Sequence, residues 1–381
     1  MPPSDNQYTK LRWLLTVAGL LLYVGDIWTD IGLALKYFRE GHFVWTGLTL
    51  VFALSGLLVT QIFSCAWYRD DMDDVMINPE GKPTVLGLVV LHLFGMGIFS
   101  RYYHLLKNGF VVVWTTRHSY TVDEGSDMHR NLFCMATDLS MLKLFETFLE
   151  SVPQLLLQLY IVLSHYGCSV LQYFSMAFSF FNIAWSLVDY RRCLCRSLPH
   201  IGEMPSGLPT AIYLLYKLCT ITSHILSYTL LLMLSPYAAI GLTVLWLVGT
   251  IWTHVLQTNF CSSGRLELLY RAVIGVILMF TFFNVKGEDT KVAMIVYYSF
   301  YACVNIAAPL LLALLKPELQ ASTFLLTVGF LILGGSVLGL VCLVLYYLLL
   351  HPREKRREAD EVDGLKKTHA AKRVQDFLQP G

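Results

Sequence analysis

Acidic and basic side chains occur in this sequence where lipid should surround the chain. Asp26 and Asp30, four residues apart in an apolar run, share one face of a helix. Counting about 1.5 Å of rise per residue from Leu11, they lie roughly 22 to 28 Å along that helix, in the outer half of a bilayer or at its boundary. A later apolar run carries Asp138, Lys143, Glu146, Glu150, Gln154 and Gln158. Steps of four from Glu146 to Gln158 drift by about 40° each, which predicts a broad polar stripe. Arg101, Lys217, His224, Glu267 and Arg271 interrupt other runs, and Asp189 ends one. Each Asp, Lys or Arg at a bilayer centre costs about 2.5 to 3.5 kcal/mol to insert, so such groups persist for pairing or for function.

Pairing accounts for part of this set: Lys143 with Glu146 at i,i+3, for example, or Arg101 with an Asp of the first run. It does not account for all of it, because the acids Asp26, Asp30, Asp138, Glu146, Glu150, Asp189 and Glu267 outnumber the bases Arg101, Lys143, Lys217 and Arg271. An uncompensated acid in lipid must protonate, meet water or meet a cationic head group. A polar lane across an apolar wall is what a phospholipid head group needs to cross while its tails stay in the bilayer. Asp and Glu would attract choline, ethanolamine or serine ammonium groups, and Arg and Lys would hold phosphate. The lane is predicted from Asp26, Asp30, Arg101, Asp138, Lys143, Glu146, Glu150 and Asp189. The same acids also suit an ion-coupled solute transporter, or a structural subunit whose charges only hold helices together.

Covalent catalysis has no support. HExxH, GxSxG and GxxxxGK[ST] are absent, and two aspartates on one helix do not supply the facing pair of an intramembrane aspartic protease. The chain reads as a non-enzyme with no cofactor, and transport would be passive or ion-coupled. A net charge of +1 argues against nucleic acid as a partner. The nine cysteines include no CxxC, so neither a metal site nor a disulfide scaffold is expected. Cys193 and Cys195, beside Arg191, Arg192 and Arg196, form a weak palmitoylation pattern. Trp45 reads as an interfacial anchor.

The elements that must position these groups follow from composition. Of 381 residues, 55% are hydrophobic and only 14% charged. Ten apolar runs fall at about 11–38, 43–68, 84–113, 131–166, 168–188, 208–234, 237–260, 265–284, 291–315 and 319–350. No strand-like alternation appears, so the fold class is an all-α polytopic membrane protein. If all ten runs crossed from a cytoplasmic N-terminus, Arg191, Arg192 and Arg196 would lie outside, against the positive-inside tendency. Letting the third and eighth runs dip in and return leaves about eight transmembrane helices plus two re-entrant or partial ones. Both end at polar breaks, Lys107-Asn108-Gly109 and Asn284-Val285-Lys286-Gly287, and each is third in a set of five, which suggests two pseudo-repeat halves. The expected organisation is an N-terminal membrane half at 1–205, a C-terminal membrane half at 206–350 and a cytoplasmic tail at 351–381.

That tail holds Asp360-Glu361-Val362-Asp363 followed by Gly364, a sequence that an executioner caspase cuts after Asp363. A charged terminal segment offers the extended, exposed backbone a protease needs. Cutting releases residues 364–381, in which Lys366, Lys367, Lys372 and Arg373 stand among Leu365, Val374, Phe377 and Leu378. Docked on the cytoplasmic face, this segment would be autoinhibitory.

Thr137-Asp138-Leu139-Ser140-Met141-Leu142-Lys143-Leu144-Phe145-Glu146-Thr147-Phe148-Leu149-Glu150, then Pro153-Gln154-Leu155, is similar to a motif of the XK-related membrane protein family. Trp185-Ser186, Val188-Asp189-Tyr190, Leu269-Tyr270-Arg271 and Phe280-Thr281-Phe282-Phe283-Asn284-Val285-Lys286-Gly287 extend the likeness, which runs from about Tyr8 to the tail. Lys143 stands where relatives carry Arg. The chain resembles the caspase-activated phospholipid scramblases of that family. The resemblance implies eight spanning helices with two partial ones, residence in the plasma membrane, and phosphatidylserine exposure on apoptotic cells once the tail is cut. It also implies, for some members, a single-span chaperone partner.

Overall fold

The computed structural model describes residues 8–71, 85–115, 122–165, 170–197, 207–258, 260–261, 263–284, 291–316 and 323–350. Residues 351–381, which include Asp360 to Gly364 and Leu365 to Leu378, lie outside the described residues. Among those described the secondary structure is helical throughout, with no strand. Seven helices are long and apolar enough to cross a membrane, or eight if one bent pair counts as a single span. The chain is a multi-pass α-helical membrane protein.

The described residues form two compact units, one from 1–146 and 189–203, the other from 147–188 and 204–352. In the first, helix α1 (Lys10–Arg39) starts at Thr9, whose side chain accepts the Arg12 backbone N–H at 3.3 Å. It ends with Lys36 and Arg39 in the last turn, where cations complement the helix dipole. Gly41, at φ +78°, turns the chain into α2 (Phe43–Asp71), and His42 stacks on Trp45 with ring centroids 4.0 Å apart.

The third run is broken: α3 (Val85–Leu93) and α4 (Gly97–Phe110) meet at 110°. The cause is local. Gly95 takes φ +72°, and the polar groups exposed by the break are met by one side chain, Gln61 of α2. Its amide donates to Gly95 O at 3.1 Å, and its carbonyl accepts from Gly97 N at 3.0 Å. The expected break at Lys107-Asn108-Gly109 does not form: these residues stay helical, and α4 runs on into a wide turn at Val111–Thr115. Gly109 is a packing glycine, since a Cβ there would lie 3.1 Å from both Trp13 and Tyr8.

Gly97 is more constrained than Gly109. A Cβ on it would sit 2.5 Å from both Gln61 Oε1 and His92 Cδ2. Gly97→Ala should therefore cost about 1 to 3 kcal/mol by forcing out the bridge over the break. The melting temperature of the detergent-purified protein should fall by several degrees, whereas Gly32→Ala, with nothing within 4 Å, should leave it unchanged or slightly raised.

The fourth run forms α5 (Val122–Glu146), a wide turn at Thr147–Ser151 and α6 (Val152–His165). Pro153 explains the wide turn: lacking an N–H, it cannot continue the regular ladder, and the preceding turn opens to accommodate it. The chain then forms α7 (Val170–Ser197).

In the second unit α8 (Leu208–Leu234) is the most enclosed span, with 61% of its apolar window buried, and α9 (Ala238–Val255) the least, with 6%. Small polar residues let α8 be central. Thr220, Ser223, Ser227 and Thr229 donate to carbonyls one turn back at 2.8 to 2.9 Å, so their hydroxyls need no water. Across from them, α12 (Thr323–Leu345) presents Gly335 and Gly339, where a Cβ would meet Ser223 at 2.5 Å and Thr220 at 2.7 Å. Small residues at the contact bring the two backbones close. The eighth run forms α10 (Gly264–Phe280), 17 residues or about 25 Å, too short for a full crossing. Then α11 (Lys291–Leu315) packs on α8 and α12. Of the expected polar break after the eighth run, residues 285–287 lie outside the described residues.

Candidate functional site: the buried charges

Among the described residues, three ion pairs organise the first unit. Arg12, in the first turn of α1, grips Asp189 of α7 with both terminal nitrogens, at 2.6 and 3.4 Å, and also donates to Cys193 Sγ at 2.5 Å. Cys193 is fully buried, so it is not open to acylation as its juxtamembrane context suggested. Arg101 of α4 donates from all three guanidinium nitrogens: to Ser64 Oγ at 3.0 Å, to Ser64 O at 3.2 Å and to Asp138 Oδ2 at 3.3 Å. Its face lies 4.4 Å above the Tyr68 ring. His92 bonds the same Ser64 hydroxyl at 3.0 Å, tying the α3 side of the break to the cluster.

Lys143 and Glu146 of α5 pair at 2.5 Å, as their spacing predicts. The ammonium sits 4.4 Å above the ring of Tyr23 on α1. One turn beyond Tyr23 on the same helix, Asp26 lies within electrostatic reach of Lys143, and Asp30 within reach of Glu146. Glu146 is buried, whereas Asp26 and Asp30 are half-buried on α1. Three acids thus face one base along a membrane-spanning helix.

The second unit uses its charges differently. Glu150 is buried inside the wide turn before Pro153, which shifts it off the regular helical phase of Glu146. Lys217 donates to Thr281 Oγ1 and to Phe282 O, both at 2.9 Å, and Tyr228 donates to Met279 O at 3.0 Å. Together they close the carbonyl end of the half-helix α10, where the dipole favours a cation. At its other end, Glu267 accepts from Cys261 N at 2.7 Å and from Thr258, while Arg271 holds Thr258 O at 2.5 Å and His254 at 2.7 Å. His224 bonds Asn305 at 3.1 Å, and Asn305 bonds Ser336 at 2.8 Å, joining α8, α11 and α12.

A sequence model of the family described as XK-related protein matches residues 14–352. The chain belongs to the XK-related family. It is 58% identical over 381 residues to XK-related protein 9 of Tetraodon nigroviridis, covering 98% of this chain and 100% of that one. XK-related protein 8 of Pan troglodytes is 32% identical over 96% of this chain and 90% of its own, and that of Tetraodon nigroviridis 30% over 94% and 88%.

Within this XK-related chain the eight lane residues do not form one group. Asp26, Asp30, Lys143 and Glu146 come together, Arg101 and Asp138 form a second cluster, and Asp189 is held by Arg12. Glu150 belongs to the other unit. The pairing of Arg101 with an Asp of the first run is replaced by Asp138. Arg12 and Ser64 carry essential bonds that sequence reading missed. Arg12 looked like an ordinary cytoplasmic cation beside Lys10, and Asp189, followed by Arg191 and Arg192, looked locally compensated.

Proposed function

We propose that this protein is a phospholipid scramblase of the plasma membrane, moving lipids between leaflets without ATP and without covalent chemistry. In this reading both termini are cytoplasmic, and the protein exposes phosphatidylserine in apoptosis after an executioner caspase cuts behind Asp363. The observation that carries the reading is the set Asp26, Asp30, Lys143 and Glu146: two half-buried acids on one membrane-spanning helix beside an ion pair of half-buried Lys143 with buried Glu146. Membrane phospholipids are the substrate. A single-span membrane chaperone is a candidate partner, and nucleic acid is not. The pairs Arg12 to Asp189 and Arg101 to Asp138 serve to hold helices, so the lane proper is narrower than the full set of charges.

The test is reconstitution of the purified protein, intact and ending at Asp363, in liposomes with fluorescent lipids and a membrane-impermeant quencher. The intact form should lose only outer-leaflet signal, and the truncated form nearly all of it. In the truncated form, Glu146→Gln with Glu150→Gln should slow the loss about tenfold, the effect of about 1.4 kcal/mol on the barrier. Uptake of a soluble substrate driven by a sodium or proton gradient, with outer-leaflet loss only in both forms, would instead identify an ion-coupled solute transporter. No transport of either kind would leave a structural subunit.

A further inference from the structure

At the start of α1 and the end of α4 three aromatic rings pack together, and a cation lies over the outermost of them. Trp13 lies one turn into α1, and Phe110 and Trp114 are four residues apart where α4 widens into the turn Val111–Thr115. Ring centroids are 6.1 Å apart for Trp13 and Phe110, 6.5 Å for Trp13 and Trp114, and 6.2 Å for Phe110 and Trp114. Trp13 and Trp114 stand at 80° to each other, an edge-to-face contact. The indole of Trp13 is fixed by its bond to Leu106 O at 3.0 Å. The other two rings are about half exposed, Phe110 at 49% and Trp114 at 48%. Lys10 holds its ammonium 4.3 Å above the Trp114 ring.

The geometry points to a binding site for the choline head group of a phosphatidylcholine molecule, in which the Lys10 ammonium is the internal occupant that choline displaces. Aromatic faces recognise quaternary ammonium, whose methylated surface is poorly hydrated, and the half-exposed Trp114 face already holds an ammonium. The site lies at the first residue of a membrane-spanning helix, at head-group depth. Nothing in this site requires that the lipid cross the membrane, so it stands apart from the proposed scrambling path around Asp26 and Lys143.

The test uses the full-length protein in nanodiscs doped with phosphatidylcholine carrying a photoreactive diazirine on its head group, with labelled positions read by mass spectrometry. Labelling should concentrate at Trp13 and Trp114 and be competed by unlabelled phosphatidylcholine, but neither by phosphatidylglycerol nor by soluble choline. Lys10→Gln should raise it roughly two- to fivefold, the gain expected when a competing exposed cation–π contact is removed. Trp114→Leu should abolish it with no change in thermal unfolding, because Trp114 is surface-exposed. Equal labelling from an ethanolamine lipid with the same photogroup, labelling unchanged by Trp114→Leu or by Lys10→Gln, or competition by soluble choline but not by the lipid would overturn the assignment.

Discussion

Replacing Arg101 with methionine while Asp138 stays in place will destabilise the protein by about 3 to 5 kcal/mol, the usual cost of stranding a buried charge. Both side chains are under a tenth exposed, at 9% and 8%, and Arg101 is the group that carries the positive charge between Ser64 and Asp138. Removing the carboxylate as well, in Arg101→Met with Asp138→Leu, should recover much of the loss, because two apolar side chains need no compensating partners there. Arg101→Lys should fall between, since one ammonium cannot donate in the three directions that the guanidinium fork uses. The measurement is thermal unfolding in detergent together with the yield of monodisperse protein. A double variant as unstable as the single one would mean that the Ser64 and His92 bonds, and not the ion pair, hold this part of the fold.

Most of the spans were legible in the sequence because a run of apolar residues has one fate in a bilayer. The same reasoning located the irregular third run, yet it put the break at Lys107-Asn108-Gly109. Polar residues suggested an ending there, whereas the break needs a residue that tolerates a positive φ and a partner for the freed backbone groups. Gly95 supplies the first, and Gln61, 34 residues earlier in the chain, supplies the second. Only the glycine is visible locally. The charges follow the same rule. Lys143 and Glu146 pair within one helix, so spacing alone foretold them. Arg101 with Asp138, and Arg12 with Asp189, join residues 37 and 177 positions apart, and helical periodicity says nothing about which helices become neighbours. The wide turn at Thr147–Ser151 had a local sign in Pro153, but the four-residue spacing of Glu146, Glu150 and Gln154 was read as one regular helix carrying a broad polar stripe.

Changing Phe377 and Leu378 together to serine is expected to make the uncut protein scramble lipids nearly as fast as the form ending at Asp363. A switch that holds the open state near 1% must favour the closed state by about 2.7 kcal/mol. Burying a Phe or a Leu side chain contributes about 1.5 to 3 kcal/mol each, so docking of these two residues would suffice to hold that equilibrium. Losing both at once would then remove the proposed restraint without any cut. Asp363→Ala should do the opposite, leaving the protein closed after caspase treatment, because the acidic residue before the cut is what the protease recognises. Both variants are read in the same quencher assay, with and without caspase, so their effects compare directly. Should the serine variant stay silent while the truncated form is active, the restraint must lie in Lys366, Lys367 and Arg373, and it should then weaken as salt screens exposed charge. Activity in every form, cut or uncut, would remove the tail from the mechanism altogether.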